Sequence, residues 1–271
     1  DGWKLESSQT LDLLAKLQKV GTPLGEYVKG KLYYGIKTGL NEAFVIDKIA
    51  RDRLISEHPS SEEVIKPFLR GRDVKRWCVE YKDLWIIFTR RGIDIKKYPA
   101  IEQYLSQYKQ KLTPGIGRKV GSYKWYEIQD NIAYWQEFEQ PKIIIPAIVN
   151  NVEYTLDLCG YYSNDKTSIC ITDNAYCLLA ILNSSIMWWF IQQIASSKQG
   201  GFFEFKPMYV SQIPVVDIDN PQKQAIESLV KQCLEAKGKE VKELETKINQ
   251  IVYELYGLSE EEIRIIEGEI K

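Results

Sequence analysis

One glycine-rich stretch has the spacing of a nucleotide-binding loop. From Gly25 to Lys31 the residues follow G-x-x-x-x-G-K, as in a P-loop. A P-loop has Ser or Thr after its lysine, because that hydroxyl group binds the magnesium ion, whereas position 32 is leucine. The residues after Lys31 also have strand character, although a P-loop leads into a long helix. We conclude that this stretch is not a nucleotide site.

A second motif matches half of a metal-dependent nuclease site. Glu204 and Lys206 form an E-x-K triplet. Such a site needs another carboxylate on a neighbouring strand, so that two acidic groups share a magnesium ion. Asp165 and Asp173 are available, but neither lies in a Pro-Asp strand context. A nuclease built on Glu204 and Lys206 stays an alternative interpretation.

The remaining nucleophiles and metal ligands form no catalytic pattern. The only histidine, His58, lies in a loop-like stretch without nearby cysteine, and no G-x-S-x-G elbow occurs. The five cysteines form no C-x-x-C pair, so they indicate neither a zinc site nor a disulfide framework, and they favour a reducing cytoplasm. An Asn-Pro-Pro-Tyr loop, as used in adenine methylation, does not occur either. We therefore expect a chain that is not itself an enzyme and that holds no metal or cofactor.

Charge is unevenly distributed along the chain, although the net charge is only −1. Lys66 to Lys124 contains fifteen Lys and Arg residues against five Asp and Glu, whereas Val216 to Lys271 contains eight against thirteen. A local excess of positive charge is typical of a surface that binds a polyanion, and a merely solvated surface is the alternative. The pattern favours a basic face beside an acidic helical part.

Hydrophobic periodicity predicts three regions. Residues 1–21 contain a lead-in helix that ends at Gly21. Residues 22–215 combine short β-type runs with inserted helices, which predicts a mixed, largely antiparallel and β-rich α+β domain. Residues 216–271 are predicted to form helices, and Ser259 and Glu262 form an S-x-x-E capping box that predicts the start of the last one. The β-type runs are PLGEYV, KLYYGI, EAFVID, LWIIFT and KIIIPAIV.

Two apolar patterns predict how the helices pack. Ala175 to Ala195 is the most apolar stretch, but polar Asn183 lies in its middle, which predicts a buried helix rather than a membrane span. The C-terminal region has a 3-4 repeat that is typical of a helix pair or coiled coil. We expect it to pack within the chain, and a dimer through these helices stays open. The repeat comprises Val241, Leu244, Ile248, Ile251 and Leu255.

Eight segments occur in an order that resembles a known family. They are GIKTGLNEAFVID, IKPFLRGRDVKRW, WIIFTRRG, YPAIEQYL, KWYEIQD, PKIIIP, LAILNSS and YVSQIPV. Together they resemble the TaqI-like C-terminal specificity domain, which is the target-recognition part of type II restriction-modification methyltransferases. The tail from Ile251 to Glu267 is similar to the helical end of those proteins.

The resemblance implies a function for the chain and a larger parent protein. A domain of this kind binds duplex DNA, recognises a base sequence and directs a catalytic domain to it. The implied partner is an N-terminal methyltransferase domain, which binds S-adenosylmethionine and methylates adenine N6. Whether the parent also carries a magnesium-dependent nuclease, as fused restriction enzymes do, stays open, and so does the recognised sequence. A helical protein-interaction module without a role on DNA is the further alternative.

Candidate DNA contacts follow from residue type. Arg and Lys recognise guanine and phosphate, whereas Asn and Gln recognise adenine. GIGRKVGSYKWYE is predicted to be a DNA-facing loop, and GIKTG a tight hairpin turn whose glycines have positive φ. Trp77, Trp125 and Trp135 are expected in the core. The candidates are Lys37, Thr38, Asn41, Arg70, Arg72, Lys75, Arg76, Arg90, Arg91, Arg118, Lys119, Ser122, Tyr123, Lys124, Lys198, Gln199 and Lys206.

Overall fold

A computed structural model describes residues 8–205 and 207–269. The helices are α1 (Ser8–Val20), α2 (Leu24–Tyr27), α3 (Asn41–Phe44), α4 (Lys48–Glu57), α5 (Ser61–Val64), α6 (Pro99–Ser106), α7 (Lys109–Leu112), α8 (Ala175–Leu182), α9 (Ser185–Ile194), α10 (Pro207–Val210), α11 (Asn220–Glu235), α12 (Lys242–Leu255) and α13 (Glu260–Ile266). Short 3₁₀ turns lie at Gly71–Asp73, Ile95–Lys97, Trp135–Glu139 and Gln199–Gly201.

The strands are short, with two to five residues each. They are β1 (Thr22–Pro23), β2 (Leu32–Tyr34), β3 (Val45–Asp47), β4 (Ile65–Leu69), β5 (Val74–Lys75), β6 (Cys78–Val79), β7 (Leu84–Ile87), β8 (Lys142–Pro146), β9 (Ile148–Val149), β10 (Thr155–Asp157), β11 (Tyr162–Ser163), β12 (Thr167–Cys170), β13 (Ser196–Ser197), β14 (Phe203–Glu204) and β15 (Pro214–Val215).

Two four-stranded sheets form the centre of the fold. One has the strand order β10-β8-β12-β2 and is antiparallel throughout. The other has the order β11-β4-β7-β3, and its β11–β4 pair is parallel. These mostly antiparallel sheets with surrounding helices confirm the predicted α+β class.

A buried ion pair lies at the edge of the first sheet. Lys142 on β8 donates hydrogen bonds to the Asp157 carboxylate on β10 and to the Phe138 carbonyl, and neither side chain of the pair is exposed. Asp157 also accepts from the backbone N–H groups of Cys159 and Tyr161, at 2.7 and 2.9 Å. Burial lowers the pKa of Lys142, and the Asp157 charge opposes that shift. The pair fixes the loop after β10 to the sheet.

Two predicted strands are partly helical. PLGEYV forms helix α2 after Pro23, and EAFVID divides into helix α3 and strand β3. Each short helix buries an apolar side chain, Leu24 in the first case and Phe44 in the second. Periodicity cannot separate a buried helical turn from a strand in a run this short. The strand predictions for KLYYGI, LWIIFT and KIIIPAIV are confirmed, because these runs contain β2, β7, and β8 with β9.

The two glycine turns of the first forty residues have different roles. Gly30 has φ +76° between helix α2 and strand β2, and this helix-to-strand order is the reverse of a P-loop. GIKTG is not a hairpin: Ile36 pairs with Asn164 in a parallel bridge, and only Gly39 has a positive φ, +83°. Gly35 is needed for space, since a Cβ there would lie 1.8 Å from the Asn164 carbonyl oxygen.

The most apolar stretch forms two buried helices. Asn183 ends α8, its side chain bonds the backbone N–H and C=O of Tyr154, and Ser184 caps α9. The two helices meet at 63°. No single helix in residues 8–205 and 207–269 is long and apolar enough to cross a membrane, and only this bent pair has the combined length and composition. Its residues from Cys177 to Leu182 are buried in the protein core.

The terminal helices share that core. Leu13 and Leu17 of α1 lie in one apolar cluster with α8, α9 and residues of α11 to α13. Ile248 and Val252 of α12 are buried there, so the predicted seam packs within the chain. The Lys16 ammonium binds the Glu262 carboxylate at 2.6 Å, which joins α1 to α13. Glu262 and Ser259 form the capping box that the sequence indicates.

A second apolar cluster fills the part of the fold between Ile36 and Phe138. It contains residues of the second sheet, of α6 and of the chain that follows α6, together with Ile169 of the first sheet. Of the tryptophans expected in the core, Trp77 is fully buried in the first cluster, whereas Trp125 and Trp135 pack half-buried on the second. The two apolar clusters are distinct, and the helical region packs on the first of them.

Candidate nucleic-acid interface

Arg118 bonds directly to two of three loops that meet in the fold. Its side chain is 6% exposed, and its guanidinium group donates to backbone carbonyl groups on both sides of the loop and on a distant segment. The bonds run from Nε to Leu112 (2.7 Å), from Nη1 to Thr38 (3.1 Å) and Glu127 (2.8 Å), and from Nη2 to Lys124 (3.4 Å) and Trp125 (2.9 Å). Arginine stays protonated when buried, although burial lowers the pKa of Arg118. The guanidinium group thus supplies donors to five backbone carbonyl groups, two of which, those of Thr38 and Lys124, also accept from a backbone N–H group.

Further hydrogen bonds connect the same three loops, which span residues 35–41, 89–92 and 113–130. Gln129 N–H donates to the Thr38 carbonyl at 3.1 Å, and Ile128 N–H donates to the Thr89 carbonyl at 2.9 Å. Arg91 Nη2 donates to the Gln129 carbonyl at 2.7 Å. We call residues 35–41, 89–92 and 113–130 together the loop cluster. Its three segments are positioned as one unit.

Three predicted DNA contacts are buried inside the loop cluster. The Arg118 guanidinium group donates to the five carbonyl groups named above, and the Thr38 hydroxyl group donates to Asn41 Oδ1 at 2.7 Å. The Tyr123 ring lies against Arg118 and Arg91, with guanidinium-to-centroid distances of 4.7 and 5.4 Å. Arg118, Thr38 and Tyr123 therefore bond within the loop cluster, and DNA contact by these buried side chains stays a prediction.

Other predicted residues of the loop cluster are exposed. Lys119, Ser122 and Lys124 are exposed in residues 113–130, and Lys37 in residues 35–41 is half-buried. The pKa of Lys124 is raised by its hydrogen bond to Tyr126. Arg90 is exposed, and its guanidinium carbon lies 5.4 Å from the centre of the Trp135 ring. For these residues DNA contact stays a prediction.

A cleft of about 560 Å³ lies next to the loop cluster. It brings together Asn41, Arg70 and Arg72, which come from two separate predicted segments. Asn41 belongs to both features, since it accepts the hydrogen bond from Thr38 and lines the cleft. The wall is largely apolar and includes Val45, Phe68, Leu84, Ile148 and Phe202.

The basic side chains of the cleft differ in whether they are paired with a carboxylate. Arg70 makes a bidentate ion pair with buried Asp73, at 2.9 and 2.8 Å, whereas Arg72 is exposed at the rim. Lys166 also lines the cleft and is exposed. Sequence reasoning missed Lys166 and Phe202, and the only signal for Lys166 is its place in the polar turn Asn164–Lys166 between two strands.

The last predicted residues lie elsewhere. Arg76 bonds the Glu245 carboxylate and, at 3.2 Å, the Val152 carbonyl, while Trp77 Nε1 donates to Glu245 at 2.6 Å. Arg76 and its half-buried neighbour Lys75 therefore lie near the helical region, and Arg76 fixes α12 to the sheets. Lys198 and Gln199 are exposed near β14. Lys206 lies outside the described residues.

The alternative nuclease site gains no support. Glu204 forms an ion pair with Lys198 at 2.8 Å. Within the residues that the structure describes, no group of three or more His, Cys, Asp or Glu side chains is arranged to hold a metal ion. Asp165, one of the two available partners, lines the same cleft of about 250 Å³ as Glu204, but no third metal-binding group joins these two carboxylates in this part of the chain.

Comparison with known proteins gives three findings. The family model of the TaqI-like C-terminal specificity domain matches residues 66–215, more than half of the chain. The type II methyltransferase M.BstVI of Geobacillus stearothermophilus is 23% identical over 279 residues, which cover 99% of this chain and 46% of that protein. The type IIL restriction-modification enzyme MmeI, solved in complex with DNA, has a similar fold with a TM-score of 0.64 and 15% identity, over 87% of this chain and 34% of MmeI.

Proposed function

Since this chain belongs to the family of TaqI-like C-terminal specificity domains, we propose that it recognises a base sequence in duplex DNA for a catalytic domain. The chain spans about half the length of the methyltransferase that it matches, so the catalytic part is expected outside it. This division assigns recognition to the present residues and chemistry to the remainder of the parent protein.

The loop cluster is the observation that carries the proposal. Reading bases requires side chains held in fixed positions at a groove, together with cations that bind phosphates. Buried Arg118 and the backbone bonds of Ile128 and Gln129 hold three loops together, and exposed Lys119, Ser122 and Lys124 project from one of them. The adjoining cleft adds Asn41, a residue type that pairs with adenine, and Arg72, a residue type that pairs with guanine.

We further propose that the parent protein methylates DNA, because the similar protein M.BstVI is a methyltransferase. M.BstVI is a type II methyltransferase, and an adenine-N6 methyltransferase domain using S-adenosylmethionine is the partner that we expect for this chain. Magnesium enters only if the parent also carries a nuclease. The free thiols of Cys170, Cys177 and Cys233 are consistent with a reducing cytoplasm.

A selection experiment tests the proposal. The chain, or its full-length parent, is incubated with a library of duplexes that carry a random central segment, and retained DNA is sequenced. We expect one short motif to be enriched, and its binding to weaken steeply as salt rises, because phosphate contacts release counterions. Retention without an enriched motif by both proteins would contradict sequence recognition. Magnesium-dependent cleavage by this chain, abolished by Glu204→Ala, would favour the nuclease instead.

A further inference from the structure

Two aliphatic side chains are exposed at the tip of the segment Thr113–Lys124. Ile116 is 71% exposed and Val120 is 88% exposed. A Cβ placed at Gly115 would lie 3.4 Å from Val120 Cγ2, so the Val120 side chain lies beside the backbone that carries Ile116. Single exposed aliphatic residues are common on proteins. Two that adjoin on one loop make a small apolar projection.

The backbone beneath this projection is fixed. Gly115 N–H donates to the Arg118 carbonyl at 2.8 Å, and Gly117 N–H donates to the Thr113 carbonyl at 3.1 Å. Gly117 leaves no room for a side chain, because a Cβ there would lie 2.1 Å from the Lys111 carbonyl oxygen. Arg118 then joins both ends of the loop through Leu112 and Trp125. A preorganised projection loses little conformational entropy when it inserts into a partner.

The charge around the projection identifies the partner. Thr113–Lys124 contains no acidic residue, and the exposed Lys119 and Lys124 lie in the same segment. Lys109 lies just before it, over the Trp125 ring at 5.4 Å from the centroid. An apolar tip surrounded by lysines fits a partner that has an apolar interior and a negatively charged surface. Duplex DNA has both, since its stacked bases lie between two phosphate backbones, and it fits better than a membrane or a groove on a protein.

We propose that Ile116 and Val120 form an apolar wedge that enters a groove of the DNA and partly unstacks one base step. Such wedges kink the duplex, and they favour sequences whose steps separate easily. The inference rests on the proposed function and deepens it: part of the sequence preference comes from deformability at the wedged step, in addition to base contacts. Lys119 and Lys124 bind the phosphates on either side.

The test uses the selected motif with 2-aminopurine at successive positions, because this base fluoresces more when it is unstacked. Binding of the unmodified chain, or of its parent away from the methylated adenine, is expected to raise fluorescence at one step. Ile116→Ala combined with Val120→Ala should abolish that rise and weaken binding about tenfold, since it removes the buried apolar contact. The salt dependence of binding should not change, because no phosphate contact is lost.

The matched controls are Ile116→Leu and Ile49→Ala. Leucine at position 116 keeps an apolar wedge and should keep the fluorescence rise. Ile49 is 80% exposed on helix α4, so its loss should change nothing. If the unmodified chain selects a motif but the double variant binds and fluoresces equally, the wedge is wrong and sequence recognition stands. If neither chain nor parent selects a motif, both inferences fail.

Discussion

Replacing Arg118 distinguishes a structural arginine from one that contacts DNA. Arg118→Met keeps the apolar stem but removes every donor to the five carbonyl groups. Thr38 and Lys124 accept a second bond from a backbone N–H, so within the described part of the chain the loss falls mainly on the other three acceptors. Each unsatisfied buried acceptor costs about 1–3 kcal/mol, and release of the buried charge offsets part of this. We expect a loss of about 3 kcal/mol.

Arg118→Lys gives an intermediate case. A lysine ammonium has three donors on one atom and cannot span carbonyl groups arranged around a planar guanidinium. We expect a loss of about 2 kcal/mol. Urea denaturation measures both losses, and amide hydrogen exchange at Ile128 and Gln129 reports whether the loop cluster opens locally.

DNA binding provides the refuting result. Loss of an ordered loop cluster weakens binding, because the loops must then become ordered on the DNA. The slope of log affinity against log salt stays nearly unchanged, because the same lysines neutralise phosphates in the complex. Lys119→Gln, the exposed neighbour, should instead reduce that slope by about 1 without loss of stability, as expected for a phosphate contact. If Arg118→Met kept full stability and reduced the slope by about 1, Arg118 would contact a phosphate and our structural assignment would be wrong.

Three further predictions concern the scaffold. Lys142→Met should cost about 3–5 kcal/mol in urea denaturation, because it leaves its carboxylate partner buried without a cation; an unchanged midpoint would contradict this. Gly238→Ala should cost about 2 kcal/mol, because φ at Gly238 is +72° and a Cβ there would lie 2.7 Å from the Arg76 carbonyl oxygen. Gly268→Ala should cost less, because φ is similar at +77° but a Cβ there would meet no atom of the described chain beyond its two neighbours within 4 Å. Burial raises the pKa of Glu262, but hydrogen bonds from Lys16 and the capping box outweigh it and leave the pKa below its ordinary value. The ionised Glu262 carboxylate therefore stabilises the fold by about 1 kcal/mol above the ordinary glutamate pKa, and this stabilisation is lost as pH falls through the lowered pKa. The difference in unfolding free energy between wild type and Glu262→Gln should accordingly disappear on acidification.

Local patterns in the sequence predicted the parts of the fold that depend on near neighbours. Helix α1 and its end at Gly21, the capping box of α13 and the buried character of α8 and α9 all depend on residues three or four positions apart. Short apolar runs were less informative, because one buried leucine fits a helical turn as well as a strand. PLGEYV is the example, since Leu24 is buried in a helix.

The candidate interface was predicted by segment but not by side chain. The sequence indicated all three segments of the loop cluster, yet it also placed Arg76 with the DNA contacts, although Glu245 on a distant helix binds it. Lys166 was missed because an isolated lysine in a polar turn has no distinguishing pattern. Its place beside Asn41 and Arg72 arises only when strands far apart in sequence meet.

By itself, the sequence determined the family, through eight motifs in a fixed order, and the amphipathic elements that build the core. Only the tertiary structure decided which arginines are exposed. The carbonyl group of Thr38 lies eighty residues from Arg118 in the chain, and no local pattern records that the two meet. Residue type sets what a guanidinium group is able to bind, whereas burial, which depends on contacts across the whole fold, sets whether it binds the protein or the DNA.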